Sequence, residues 1–199
     1  LALLYTPYYE QTLRAEPTLR KKPFEQGLYL NFAAGLGAKT LLEDWLITQF
    51  GTPPSHPDYR TDRFRIYPAY SLQADVMWRY ARRWSSGLGV DAFYGTYSKR
   101  IEELDLQAHR TLHHSPFSLG LAAKHQAHYG RLALAVSFGV YLYRHMGDNA
   151  KVNETPYYER IGVHYALPWL NNLTMGVNVK AHKTKADLTE LVLAMPIRL

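Results

Sequence analysis

The sequence predicts an all-β protein: an eight-stranded antiparallel transmembrane (outer-membrane) β-barrel with three long loops on one side and short turns on the other. Three observations predict it. Segments of about ten residues alternate between apolar and polar side chains, which is the periodicity of strands. The 199 residues include 16 tyrosines and 4 tryptophans, side chains that favour the boundary between an apolar slab and water. The connections between the segments alternate between long and short, except that the last two are both short.

The chain divides into an irregular N-terminal leader, residues 1–25, and the barrel, residues 26–199. The leader contains Pro7, Pro17 and Pro23 and the basic run Arg20-Lys21-Lys22. Proline lacks the backbone donor that a central strand needs, so we expect no regular strand there. From Gly27 the alternation begins. The predicted strands cover residues 28–37, 64–80, 87–95, 117–126, 132–143, 157–167, 173–182 and 189–199.

The three long connections are predicted at residues 38–63, 99–115 and 145–156. The first contains an amphipathic stretch, residues 40–47, and a proline-rich run, residues 52–58. The second places Ile101, Leu104, Ala108 and Leu112 at helical spacing. Tight turns are expected at residues 82–85, 128–131 and 168–171. Long loops on one side and tight turns on the other are typical of an outer-membrane barrel with both termini periplasmic.

The two faces of the predicted strands differ in chemistry. The polar face collects small residues interleaved with ions of both signs, and the apolar face has a single ion, Glu159. The ions of the polar face are Asp75, Arg79, Asp91, Lys124, Arg160, Lys180 and Glu190. A soluble lipocalin-like barrel would turn its apolar face inward and carry dense Lys and Glu outside. Small residues and paired charges instead suit a narrow lumen filled by side chains, which also argues against a pore.

Composition limits the function classes. The chain has no cysteine, which excludes disulfides and thiol-based metal or redox sites, and no apolar run of about 18 residues, which excludes a transmembrane helix. The formal charge of +6 favours anionic partners such as phosphorylated lipid or nucleic acid, or serves solubility alone. No nucleic-acid-binding module is recognisable, so no nucleic-acid partner is predicted.

The densest polar chemistry lies in the last two strands. Strand six contains Tyr157-Tyr158-Glu159-Arg160-Ile161-Gly162, and strand seven contains Gly176-Val177-Asn178-Val179-Lys180-Ala181-His182. The run Lys183-Thr184-Lys185-Ala186-Asp187-Leu188-Thr189-Glu190 follows. This arrangement resembles a divergent branch of the lipid A 3-O-deacylases, or acyloxyacyl hydrolases, which are eight-stranded outer-membrane barrels.

The resemblance implies a place in the outer membrane of a Gram-negative bacterium and lipopolysaccharide (lipid A) as partner. It also implies hydrolysis of an ester-linked acyl chain without a cofactor. Carried over to this chain, His182 is the base, Thr184 stands at the serine position and Glu190 is the orienting acid. In such sites the histidine deprotonates a hydroxyl, and the carboxylate orients the imidazole.

Two departures from the family pattern concern this site. Threonine replaces serine, and Lys185 replaces the asparagine that follows it. Family members carry the histidine on the lipid-facing side, whereas His182 shares its parity with Lys180. It therefore points into the lumen unless a bulge lies between Val179 and His182.

A second interpretation of the same residues is structural. Lys180, His182 and Glu190 then form an interior polar network with Arg160 and His164. The protein would be a non-catalytic barrel that serves as a structural or interaction subunit with other envelope proteins.

The basic side chains of the long loops form a third group. Arg63, Lys99 and Arg100 are expected near lipid A phosphates at the outer rim, or else are solvated loop residues. His109, His113 and His114 lack an acidic ligand in a firm pattern, so no metal site is predicted.

Overall fold

The computed structural model is a closed barrel of eight antiparallel strands, each paired with its neighbours in chain order and the last with the first. It describes residues 24, 26–41, 66–107, 109, 111–147, 155–170, 173–183 and 185–199. The strands are β1 (Gly27–Lys39), β2 (Tyr67–Ala81), β3 (Trp84–Gly95), β4 (His114–Tyr129), β5 (Leu132–Met146), β6 (Tyr157–Leu167), β7 (Leu173–His182) and β8 (Lys185–Arg198). One helix, α1 (Ser98–Gln107), and a short 3-10 turn, Pro168–Leu170, lie in connections. The predicted all-β fold, an eight-stranded antiparallel barrel, is confirmed.

Three strands begin earlier than their alternation indicated. β3 starts at Trp84, β4 at His114 and β8 at Lys185, because their ladders continue through polar residues that do not alternate with apolar ones. The turn before β3 is therefore only Arg82 and Arg83. The predicted leader, except Phe24, and the predicted amphipathic stretch beyond Leu41 lie outside the described residues.

The apolar face of the strands points outward, as the alternation predicted. Leu72, Val90 and Leu121 are 63%, 42% and 43% exposed on three adjacent strands. Their polar neighbours Asp91 and Lys124 are buried inside the barrel. This is the reverse of a soluble lipocalin-like barrel.

The middle of the lumen is filled by paired ions. Asp91 accepts hydrogen bonds from Tyr158 Oη at 2.7 Å and from Lys124 Nζ at 2.7 Å, and it pairs with Arg160 at 3.3 Å. Lys124 also pairs with Asp75. Each charge thus has an opposite charge beside it, as a lumen without bulk water requires.

Tyr158 is fully buried and occupies a slot that two glycines leave open. Gly120 on β4 and Gly139 on β5 both face its ring, and a Cβ atom on Gly120 would stand 2.7 Å from Tyr158 Oη. Two of the glycines on the polar face therefore make room for a large side chain, rather than for water.

Helix α1 packs over the end of the barrel that carries the long connections, hereafter the long-loop end. Ile101 joins Leu41, Tyr97, Met146 and Leu188 in one buried apolar cluster. The helix confirms the helical spacing predicted for residues 99–115, although it ends at Gln107. None of the helices in the described part of the chain is long and apolar enough to cross a membrane.

Candidate functional site

His182 lies inside the barrel at the last position of β7, next to the long-loop end, and is 2% exposed. β7 pairs with β6 without interruption from Leu173 to Ala181. The regular alternation of β7 therefore reaches His182 unbroken, and the side chain points into the lumen as its parity predicted.

A β-bulge in β8 faces this histidine. Lys180 pairs with Leu188 but Ala181 pairs with Ala186, which leaves Asp187 as an extra residue in β8. Because of the extra residue, Asp187 and Leu188 both turn inward although they are adjacent in sequence. The bulge thereby brings a carboxylate to His182.

A second β-bulge lies in β5. Leu119 pairs with Tyr143 but Gly120 pairs with Tyr141, which leaves Leu142 extra. Leu142 and Tyr143 are both exposed, at 63% and 38%. Regular alternation over the predicted strand 132–143 would place Tyr143 on the interior face with Tyr141, and this expectation is wrong because the bulge reverses the alternation after Tyr141. Arg144 turns into the lumen instead.

Asp187 is the carboxylate at the centre of this site. It pairs with Lys39, with Lys180 Nζ at 2.9 Å and with His182 Nδ1 at 3.5 Å. The ammonium groups of these two lysines lie over the rings of Tyr97 and Phe93, at 4.3 and 4.4 Å from the ring centroids. We call Lys39, Tyr141, Arg144, Lys180, His182 and Asp187 the His182 cluster.

The other ring nitrogen of His182 is also occupied. Arg144 Nη1 lies 2.9 Å and Tyr141 Oη 3.0 Å from His182 Nε2. A guanidinium only donates, so Nε2 is the acceptor and the ring proton resides on Nδ1, facing Asp187. His182 thus has a carboxylate 3.5 Å from Nδ1, longer than a well-formed hydrogen bond, while the lone pair of Nε2 is directed at a cation.

The other predicted site residues fall into a separate group. Glu190 accepts hydrogen bonds from Ser71 at 2.6 Å and Asn178 at 3.1 Å, and pairs with Arg160 Nε at 3.3 Å. His164 Nε2 lies 2.7 Å from Asn178 Oδ1, and so joins the same group. Thus Arg160, His164 and Glu190 are connected, whereas Lys180 belongs to the His182 cluster. Thr184 lies outside the described residues.

The loop cations predicted near lipid A phosphates differ in accessibility. Lys99 is exposed on α1, whereas Arg100 is 5% exposed and its Nη1 pairs with Glu103 at 2.9 Å. Arg63 lies outside the described residues. His114 Nε2 pairs with Asp105 at 2.7 Å, and no group of three His, Cys, Asp or Glu suited to a metal was found among the described residues.

The sequence alone did not connect four members of the His182 cluster with His182: Lys39, Tyr141, Arg144 and Asp187. The available signal was a break in alternation. In β5, Leu142 and Tyr143 are two large side chains in succession, where regular alternation has one outward residue followed by an inward one. In β8, the run Ala186-Asp187-Leu188 does not alternate regularly between the two faces. Such breaks mark bulges, which occur preferentially beside functional sites.

Among the described residues, the outward-facing side chains of β7 and β8 nearest this end include no histidine, aspartate or glutamate. On β7 and β8 the outward-facing residues nearest this end are Val179, Ala181, Ala186 and Thr189, while Lys183 lies exposed in the turn. A lipid acyl chain lying against these two strands would therefore meet small and apolar side chains.

A closed eight-stranded barrel, apolar outside and filled with paired ions inside, defines the class of small membrane-type barrels. The family model described as acyloxyacyl hydrolase, C-terminal domain, matches residues 27–198. The chain therefore belongs to the acyloxyacyl hydrolase family, and the match spans every strand of the barrel. Neither the curated proteins nor the solved structures gave a match.

Proposed function

We propose that this chain is an integral barrel of the outer membrane of a Gram-negative bacterium. The support is the outward belt of large apolar side chains. Removing one such side chain from water is worth about 1.5–3 kcal/mol, so a belt of them favours a lipid environment strongly. By the same proposal the long-loop end faces outward and the short-turn end faces the periplasm.

Lipid A of lipopolysaccharide is the molecule that this barrel meets at its long-loop end under the proposal. Family membership supports this assignment. Of Lys99 and Arg100, Lys99 is the better placed to contact a lipid A phosphate, because it is exposed on α1 whereas Arg100 is buried and already paired with Glu103.

We further propose that the barrel is a degenerate, non-catalytic relative of the deacylases, with a structural or interaction role in the envelope. One observation carries this: Arg144 donates to His182 Nε2 inside the closed lumen. A general base needs that lone pair free and within reach of the nucleophile's proton. In this conformation the His182 cluster stabilises the barrel and takes no proton.

Hydrolysis of an ester-linked acyl chain is the second candidate, favoured by the position of Asp187 beside His182 Nδ1. Thr184 Oγ1 would attack the ester carbonyl and pass its proton to His182 Nε2, which would return it to the departing alcohol. Water would then release the fatty acid from the threonine. This route requires Arg144 to leave Nε2, and it uses Asp187 as the orienting acid. The role predicted for Glu190 would require it to leave Ser71, Asn178 and Arg160.

Mass spectrometry of lipid A separates the two candidates. Lipid A is extracted from cells that lack the protein and from cells that express it, and we expect identical acyl patterns. Loss of one acyl chain would contradict the non-catalytic proposal. The enzyme would then be assigned to this site if His182→Ala and Thr184→Ala both restored the full pattern while Thr189→Ala, an outward threonine of β8, did not.

A further inference from the structure

A cavity of about 430 Å³ opens at the short-turn end of the lumen, opposite the His182 cluster. Its wall is built from the ends of several strands. Tyr29 comes from β1, Arg79 from β2, His128 from β4 and Arg198 from β8, and Arg131 comes from the β4–β5 turn. The cavity therefore exists only because the barrel closes.

The charge of this cavity is one-sided. Arg79, Arg131 and Arg198 line it, and none of the described residues lining it is an aspartate or a glutamate. Asn31 lies at its floor and donates to Asp75 at 2.9 Å, and that carboxylate is already paired with Lys124.

Four cations in the middle of the lumen and toward its long-loop end have a carboxylate beside them. Lys39, Lys124, Arg160 and Lys180 each pair with at least one carboxylate. At the short-turn end, Arg79 Nη2 donates to the backbone oxygen of Arg82 at 2.7 Å, and among the described residues Arg79 Nε has no hydrogen-bond partner. Arg131 Nη1 donates to the hydroxyl of Tyr165 at 3.4 Å.

Like charges also crowd Arg79. Its guanidinium is repelled by that of Arg198, which lines the same cavity. Cations that lie close together without a counter-charge repel one another, which costs electrostatic energy. A bound anion would offset this repulsion. Two or more arginine forks match the oxygen atoms of a phosphate group and offset more than one negative charge.

A neutral polar wall stands beside these cations. Tyr29 Oη lies 3.1 Å from Ser85 Oγ and donates to Gln126 Oε1 at 3.2 Å, while Ser85 Oγ lies 2.7 Å from His128 Nε2. Such groups suit the hydroxyls of a glycerol or sugar. We propose that this cavity binds a phosphate-bearing molecule, with its phosphate at Arg79 and Arg198 and its polar body against Tyr29 and Gln126.

Calorimetric titration of the full chain in a maltoside detergent tests this proposal. We expect saturable binding of inorganic phosphate and of glycerol 1-phosphate, and much weaker binding of acetate. Arg79→Gln and Arg198→Gln should each weaken phosphate binding about tenfold, the effect of losing one charge-assisted contact. Arg83→Gln is the matched control, since Arg83 is an exposed arginine of the same end that does not line the cavity.

Absence of saturable binding would overturn the proposal. So would equal binding of acetate, or an equal loss in Arg83→Gln, because either would mean a diffuse charge effect. Arg198 is exposed, so Arg198→Gln keeps the test valid if Arg79→Gln does not fold.

The source of the phosphate is distinguished by embedding the protein in nanodiscs. If phosphatidylglycerol in the bilayer abolishes binding of inorganic phosphate, the natural ligand is a lipid headgroup. If binding is the same with an uncharged lipid and with phosphatidylglycerol, the ligand is a free phosphate compound. The titrations do not depend on any activity toward lipid A.

Discussion

Asp187 is the residue that holds the His182 cluster together. Within the described part of the chain, it is the carboxylate that pairs with Lys39, Lys180 and His182, and its side chain is 6% exposed. In a region with little water, removal of the central charge of such a group leaves the remaining charges without compensation.

Asp187→Asn should therefore reduce the free energy of unfolding by about 3–5 kcal/mol, the cost of breaking a buried ion pair on one side only. Urea titration of the protein in lipid vesicles, followed by tryptophan fluorescence, measures the change. The matched control is Glu102→Gln on the exposed face of α1, which should change stability by less than about 0.5 kcal/mol. A similar small loss for Asp187→Asn would contradict the central role of this carboxylate.

At the scale of elements, the two bulges place the groups that face His182. The bulge in β8 supplies Asp187 to Nδ1, and the bulge in β5 turns Arg144 toward Nε2. β7 itself needs no irregularity. The histidine is thus held between two irregular strands, and its orientation depends on both.

Helix α1 depends on one buried side chain for its position over the barrel. Ile101 is 3% exposed, whereas Leu106 of the same helix is 55% exposed. Ile101→Ala leaves a cavity in the apolar cluster, which should reduce the free energy of unfolding by about 2–5 kcal/mol. We expect faster hydrogen exchange of the amides of residues 98–107 in this variant.

Leu106→Ala removes similar apolar bulk from the same helix, and should leave the exchange rates unchanged. Equal protection in both variants would show that the apolar cluster does not hold the helix on the barrel.

At the scale of the whole molecule, the barrel is apolar outside and ionic inside. In a bilayer an arginine on the outer face costs about 2–4 kcal/mol at the midplane and about 0–1 kcal/mol near the interface. Val90 is an outward residue in the middle of β3, and Leu132 is an outward residue at the short-turn end of β5.

Val90→Arg should therefore destabilise the protein in vesicles far more than Leu132→Arg does. Unfolding titrations of both variants measure the difference. In a water-soluble barrel both exposed positions would accept arginine equally, so equal stabilities would contradict membrane insertion.

The sequence by itself determined the eight strands, their order of long and short connections, and which residues face the lumen where the strands are regular. Two-residue alternation is a local property of an extended chain, so it can be recognised in the sequence without knowledge of the fold. The alternation correctly predicted six polar side chains that face the lumen: Asp91, Lys124, Arg160, Lys180, His182 and Glu190. The residues of the sixth and seventh strands, and the run that follows them, also indicated the family.

Only the tertiary structure decided which inward residues meet. Alternation is lost across a bulge, so Arg144 and Asp187 could not be assigned to His182 from their positions in the chain. Glu190, eight residues after His182, was predicted to orient it but bonds to Ser71, Asn178 and Arg160. Likewise Arg79 and Arg198 come together only through closure of β8 onto β1, since contacts across a barrel depend on register rather than on sequence distance.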